Sequence, residues 1–175
     1  MRKCLVVVDM LNDFIRPDGA LYVQGAEKII EPIRQILAKA RDEGWLIVYA
    51  CDHHEPDDPE FNLFPRHCVG GTPGAEVISE LAPRQGEVIV RKRRFSPFFE
   101  TDLGTLLKHQ KITHATVVGV VTHICVMETV AGLFYRDIPS TIPLNAVADF
   151  DPEMEKAAVK RMEKVFNAKI LNSLE

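Results

Sequence analysis

Residues 119–129 read GVVTHICVMET. An apolar run of strand character ends here, and a helical pattern begins with almost no turn residues between, placing Cys125 in the first helical turn. Working outward, further runs of strand length occur at CLVVVD (4–9), LIVYAC (46–51), EVIVRK (87–92) and ATVVGVV (115–121), with a fifth near TIPLNAVAD (141–149). Between them, the stretch 27–44 repeats apolar residues at Ile29, Ile33, Ile36, Leu37 and Ala40 and stops at Gly44, as an amphipathic helix with a glycine end should. Pro32 marks its first turn. Shorter helices are predicted over 74–82 and 101–110, and longer ones over 123–137 and 151–166. Alternating β and α units predict an α/β fold: three layers, a doubly wound and mostly parallel sheet flanked by helices.

Open sheets of this kind collect ligands beyond the carboxyl ends of their strands. Asp9 closes the first predicted strand, Asp52 follows the second, Lys92 ends the third and Cys125 opens the helix after the fourth. These four residues are therefore expected to share one edge. If Thr122 caps the helix, Cys125 takes its third position, where free backbone amides favour a thiolate and can hold a developing oxyanion. Asp9 is the candidate base and later acid, Lys92 the stabilising cation, and Cys125 the nucleophile. The transfer is steep: a carboxylate near pKa 3.9 facing a thiol near 8.5 leaves about 6 kcal/mol to be narrowed by burial. Each residue also has a structural alternative. A buried cysteine is a common small hydrophobe, Asp9 could serve a turn, and Lys92 lies in RKRR (91–94), which by itself reads as a solvated charge run.

Residues 52–73 are rich in Pro, Gly and Asp and fit neither period, so they form a predicted long loop. Asp52 and His54 stand two residues apart, a spacing that aims two ligands the same way from an extended segment. His67 could complete a three-ligand site for zinc, iron or manganese, with positions left for water or substrate. His53 and Cys68 are adjacent and could exchange roles with these ligands.

The 175 residues, 46% of them hydrophobic, suffice for one core, so a single domain over 1–175 is expected. A net charge of −4 provides no general attraction to nucleic acid or anionic membranes, and no partner of either kind is expected. CLVVVDM is far shorter than the roughly 18 residues of a membrane span. Four cysteines without CxxC spacing suggest reduced thiols and a cytoplasmic protein.

VVVDMLNDF, KRRFSPFFETDL and GVVTHICVMET, in that order, resemble three motifs of the isochorismatase-like cysteine hydrolases, and the resemblance covers nearly the whole chain. DHHEP followed by FPRHCVGGTPGAE is similar to the metal-binding segment of the nicotinamidase branch of that family. The resemblance implies a catalytic triad of Asp9, Lys92 and Cys125 and metal ligands Asp52, His54 and His67. It also implies a cis peptide between Val120 and Val121, with the amides of Val121 and Cys125 as oxyanion hole. Phe14 and Phe64 are the implied walls for a flat substrate ring. His53 and Phe64 stand where that branch usually has tryptophan, and Phe95 and Pro97 replace the usual tyrosine and small residue of the lysine motif. The implied activity is deamidation of nicotinamide, and of pyrazinamide, through a thioester on Cys125. One divalent metal, zinc ahead of iron or manganese, is the implied cofactor, and family habit implies a homo-oligomer. Another small amide or ureido substrate is the alternative, and a non-catalytic metal- or ligand-binding domain is a third reading.

Overall fold

β1 (Lys3–Val8) is the centre of the molecule, and its Leu5–Val8 run is buried on both faces. The computed structural model describes residues 2–174. Strand β1 pairs in parallel with β2 (Leu46–Asp52) on one side and β4 (His114–Val120) on the other. β3 (Val88–Lys92) lies outside β2, whereas β5 (Ser140–Pro143), β6 (Val147–Ala148) and β7 (Lys169–Leu171) extend the β4 side. The path is β3-β2-β1-β4-β5-β7, with β6 also on β4, and every pairing in the sheet is parallel. The strand order reverses direction from β1, which makes the β1/β4 boundary the switch point of a doubly wound fold.

Side-chain alternation divides β1 between two helix layers. Leu5 and Val7 pack with Ile33, Ile36, Leu37 and Ala40 of α2 (Ile30–Asp42), the apolar stripe expected from the sequence. Helix α2 follows the single turn α1 (Asn12–Ile15) and ends before Gly44, whose φ of +66° suits glycine at that position. On the other face Cys4, Val6 and Val8 meet Leu103 and Leu107 of α3 (Leu103–His109), Val126 and Val130 at α4 (Met127–Phe134), and Met162 of α5 (Pro152–Lys164). Asp151 caps α5 by accepting from the amides of Glu153 and Met154, at 3.0 and 3.1 Å.

Three sequence expectations change. The stretch 74–82 is not a helix but two short turns, Pro73–Ala75 and Ser79–Leu81, around an extended piece. That piece spends its backbone groups on the chain leaving β1: Asn12 N donates to Glu76 O and Ile78 N to Met10 O, each at 3.0 Å. The fifth strand is interrupted by a turn at Leu144–Ala146, giving β5 and β6. Thr122 does not cap the helix, because Val121 holds that position and the Thr122 hydroxyl donates to Glu155 at 3.0 Å. Among the described residues no helix is long and apolar enough to cross a membrane.

Gly119, in β4 beside β1, has φ +114°, and a Cβ there would lie 2.0 Å from the Val8 carbonyl oxygen. Gly119→Ala therefore combines a forbidden backbone angle with a backbone collision. In chemical denaturation it is expected to cost more than Leu107→Ala, a buried truncation worth about 2–5 kcal/mol. A smaller loss would show that the strand ends adjust freely.

Candidate active site and metal cluster

The carboxyl ends of β1, β2 and β3 deliver three charged side chains to one buried point. Asp9, one residue past β1, adopts φ +51°, donates its amide to Ala50 O and receives the Asp52 amide on Oδ1 at 2.8 Å. Lys92 stands opposite Asp52 in the β2/β3 register. Its ammonium lies 2.7 Å from Asp9 Oδ2, 2.5 Å from Asp52 Oδ1 and 3.5 Å from Cys125 Sγ. Asp9, Asp52 and Lys92 are each no more than 2% exposed. Carboxylate oxygens of Asp9 and Asp52 and the Cys125 sulfur all lie within 4.8 Å of one another.

Cys125 arrives from β4 through a tight passage. The Val120–Val121 peptide is cis, as the family resemblance implies. Thr122–Val126 then form one wide π-helical turn, in which the Val121 carbonyl accepts from the amides of Ile124 and Val126 at 3.1 Å each. A π turn is a frequent device for placing a functional side chain, and α4 continues from it. The Cys125 carbonyl is held by the Thr129 hydroxyl at 2.7 Å.

Charge in this pocket is finely opposed. Burial, reinforced by the neighbouring Asp52, raises the Asp9 carboxyl to about 6 despite Lys92. Burial also pushes the Cys125 thiol well above its usual value; Lys92 pulls it back, and Asp9 and Asp52 push it further. Burial works against the Lys92 ammonium, yet Asp52, Asp9 and Cys125 hold it firmly protonated. Burial thus raises both ends of the proton transfer, so the resting sulfur keeps its proton rather than existing as the thiolate that a helix start alone would favour.

Next to this cluster, Asp52 Oδ2 faces His54 Nε2 at 3.7 Å and His67 Nε2 at 3.9 Å. His67 Nδ1 is hydrogen-bonded to the Pro65 carbonyl at 2.7 Å, which leaves Nε2 with the lone pair a metal needs, and burial pushes that imidazole toward its neutral form. Both ring nitrogens of His54 are buried without a hydrogen-bond partner, Nδ1 standing 3.3 Å from Asp58 Oδ2. Burial disfavours charge on His54, but the carboxylates of Asp52, Asp58 and Glu60 raise its pKa above the usual value. Glu60 Oε1 lies 3.8 Å from His54 Nε2, and its Oε2 is also buried without a hydrogen-bond partner. This donor set fits a divalent metal held by Asp52, His54 and His67, with Glu60 as a further oxygen.

His53 and Cys68 stay outside that cluster. The His53 ring packs on Gly70 and lines a separate cavity with Cys51 and Arg91. The amide of Cys68 is bonded to Asp13 at 2.7 Å, and its thiol faces the Gly74 carbonyl. Glu60 was not singled out from the sequence. It sits six residues beyond His54 on a 3₁₀ turn (Pro59–Asn62), a placement with no periodic signature.

A cavity of about 180 Å³ opens over Cys125. Its floor carries Asp9, Asp52 and Glu60, and Val121 and Cys125 border it. Phe14 and Phe64 line it as expected, and Tyr22, Phe95, Ile124 and Phe150 complete an apolar collar that the sequence does not mark. Among the described residues no lysine or arginine contributes to this lining.

The family model for the Isochorismatase domain matches residues 3–173. Solved structures similar to this chain include nicotinamidase PncA from Bacillus subtilis, 32% identical over 98% of this chain and 99% of that one, with a TM-score of 0.92. The pyrazinamidase of Pyrococcus horikoshii in complex with zinc gives the same identity, coverage and TM-score. N-carbamoylsarcosine amidase from Thermoplasma acidophilum is 34% identical, covering 98% and 96% of the two chains with a TM-score of 0.89.

Cys125 is the cysteine bordering this cavity, so iodoacetamide is expected to modify it before Cys4, Cys51 or Cys68 when labelled peptides are mapped by mass. Lys92→Met removes the cation that favours its thiolate and is expected to slow that labelling by about tenfold or more, one pKa unit being a factor of ten. Equal labelling of all four thiols would contradict a reactive Cys125.

Proposed function

The chain belongs to the isochorismatase-like hydrolase family, and from that premise we propose that it is an amidohydrolase whose substrate is nicotinamide, with pyrazinamide as a surrogate. The observation that carries the reading is the contact of Lys92 with Asp9, Asp52 and Cys125 beneath a cavity with apolar walls, in which the described lining residues include no lysine or arginine. An uncharged aromatic carboxamide suits such a cavity. A ureido acid brings a carboxylate, and the described residues of the cavity lining include no lysine or arginine to pair with it.

In this mechanism Asp9 takes the Cys125 proton as sulfur attacks the carboxamide carbon. The carbonyl oxygen gains negative charge and is received by the amides of Val121 and Cys125. Asp9 returns the proton to the amide nitrogen, the C–N bond breaks and ammonia leaves, with the acyl group on sulfur as a thioester. Water then enters, gives a proton to Asp9 and displaces the sulfur, releasing the carboxylic acid; the proton on Asp9 returns to Cys125. Lys92 balances the negative charge shared by Asp9 and sulfur throughout. Phe14 and Phe64 hold the ring flat between them. A divalent metal on Asp52, His54 and His67 would offset the carboxylates' repulsion of a thiolate and offer a Lewis acid to a ring nitrogen or water. Zinc leads the candidates because the similar Pyrococcus horikoshii structure is a zinc complex.

Ammonia release from nicotinamide tests the proposal. Wild-type protein is expected to turn over, Cys125→Ala to be silent and Asp9→Asn to fall by about 100-fold or more. Chelator treatment is expected to remove activity and zinc to restore it. N-carbamoylsarcosine is expected to be the poorer substrate. Equal ammonia release by wild-type and Cys125→Ala proteins would end the reading, and faster turnover of the ureido acid would reassign the substrate.

A further inference from the structure

The charge run at 91–94, which by itself reads as a solvated face, turns inward at two positions. Lys92 reaches the catalytic carboxylates, and two residues later Arg94 reaches the back of the metal cluster. One nitrogen, Nη1 of Arg94, meets both carboxylate oxygens of Asp58, at 2.9 and 3.2 Å. Arg93 Nε stands 3.7 Å from the same carboxylate. Asp58 is only 3% exposed, and its other neighbours are the Glu60 amide, which donates to Oδ1 at 3.0 Å, and His54 Nδ1, 3.3 Å from Oδ2. Arg94 Nη1 is also 3.7 Å from Glu60 Oε2.

Asp58 therefore stands between a cation and the ring nitrogen of His54 that points away from the cluster. A carboxylate behind a metal-facing imidazole fixes both the ring's orientation and which nitrogen carries the proton, and a buried carboxylate needs compensation to hold that place. We infer that Arg94, acting through Asp58, is a positioning residue of the metal centre: it holds Asp58 against His54 Nδ1 and keeps Nε2 aimed at the space shared with Asp52, His67 and Glu60. The consequence is a direct link between the two halves of the site, because the segment leaving β3 just past Lys92 also braces a metal ligand. This inference rests on the metal assigned under the proposed function and is independent of the substrate.

The test measures zinc affinity by competition with a chromogenic chelator, alongside thermal unfolding of the metal-free proteins. Arg94→Met and Asp58→Asn are expected to bind zinc about 10–100-fold more weakly than wild type. Arg94 uses a single nitrogen, so Arg94→Lys is expected to recover most of that loss. The ligand-field spectrum of the cobalt-loaded protein is expected to shift in Arg94→Met, while the melting temperature of its metal-free form falls only slightly, because Arg93 and the Glu60 amide still face Asp58. Unchanged zinc affinity in Arg94→Met would overturn the inference. So would a weakened affinity accompanied by an equal loss of metal-free stability and no rescue by lysine. Failure of the wild-type protein itself to bind zinc would overturn the metal assignment, and this inference with it.

Discussion

The ammonium of Lys92, 1% exposed and in contact with Asp9, Asp52 and the Cys125 sulfur, is the constraint from which the rest of the site follows. A lone buried charge is costly, and breaking a buried pair by removing one partner costs about 3–5 kcal/mol. The ends of β1, β2 and β3 must therefore meet in one register. Parallel pairing supplies it, setting Asp52 opposite Lys92 and leaving Asp9 to return its side chain to the Asp52 amide. Electrostatics and backbone geometry select the same arrangement.

That arrangement leaves two carboxylates facing one ammonium. Asp52 resolves the imbalance by dividing its oxygens: Oδ1 goes to Lys92, and Oδ2 faces the imidazoles of His54 and His67. A divalent cation there is the natural complement to the surplus negative charge. The proposed triad and the candidate metal ligands thus form one cluster of opposed charges joined through Asp52, which touches Lys92 on one side and faces the two imidazoles on the other. Burial leaves the proton on the Cys125 sulfur and raises the Asp9 carboxyl to about 6, so the two are poised to pass that proton from sulfur to carboxylate rather than to rest as an ion pair.

Above the charged floor the cavity is walled by aromatic and aliphatic side chains from separate parts of the chain, including Phe14, Phe64, Phe95 and Phe150. Apolar walls exclude water and strengthen each electrostatic contact below them. Among the described residues these walls carry no lysine or arginine, so they favour an uncharged guest over an anionic one.

Periodicity and strand-end position were enough to draw the α/β architecture, the α2 stripe and the gathering of Asp9, Asp52, Lys92 and Cys125, because each depends on a local repeat or on a rule about sheet edges. The helix expected at 74–82 failed because Glu76 and Ile78 give their backbone groups to Met10 and Asn12, a long-range competition that local propensity does not contain. β7 is three residues long and too short to carry a pattern. The separation of His54 and His67 from the neighbouring His53 and Cys68, the arrival of Glu60, and the inward turn of Arg94 were decided by how residues 52–73 fold back over the sheet. The sequence by itself determined which chemical groups were available and which strand ends would carry them. Only the tertiary structure decided which of those groups face one another, since a loop without a repeat is oriented by its contacts and not by its own composition.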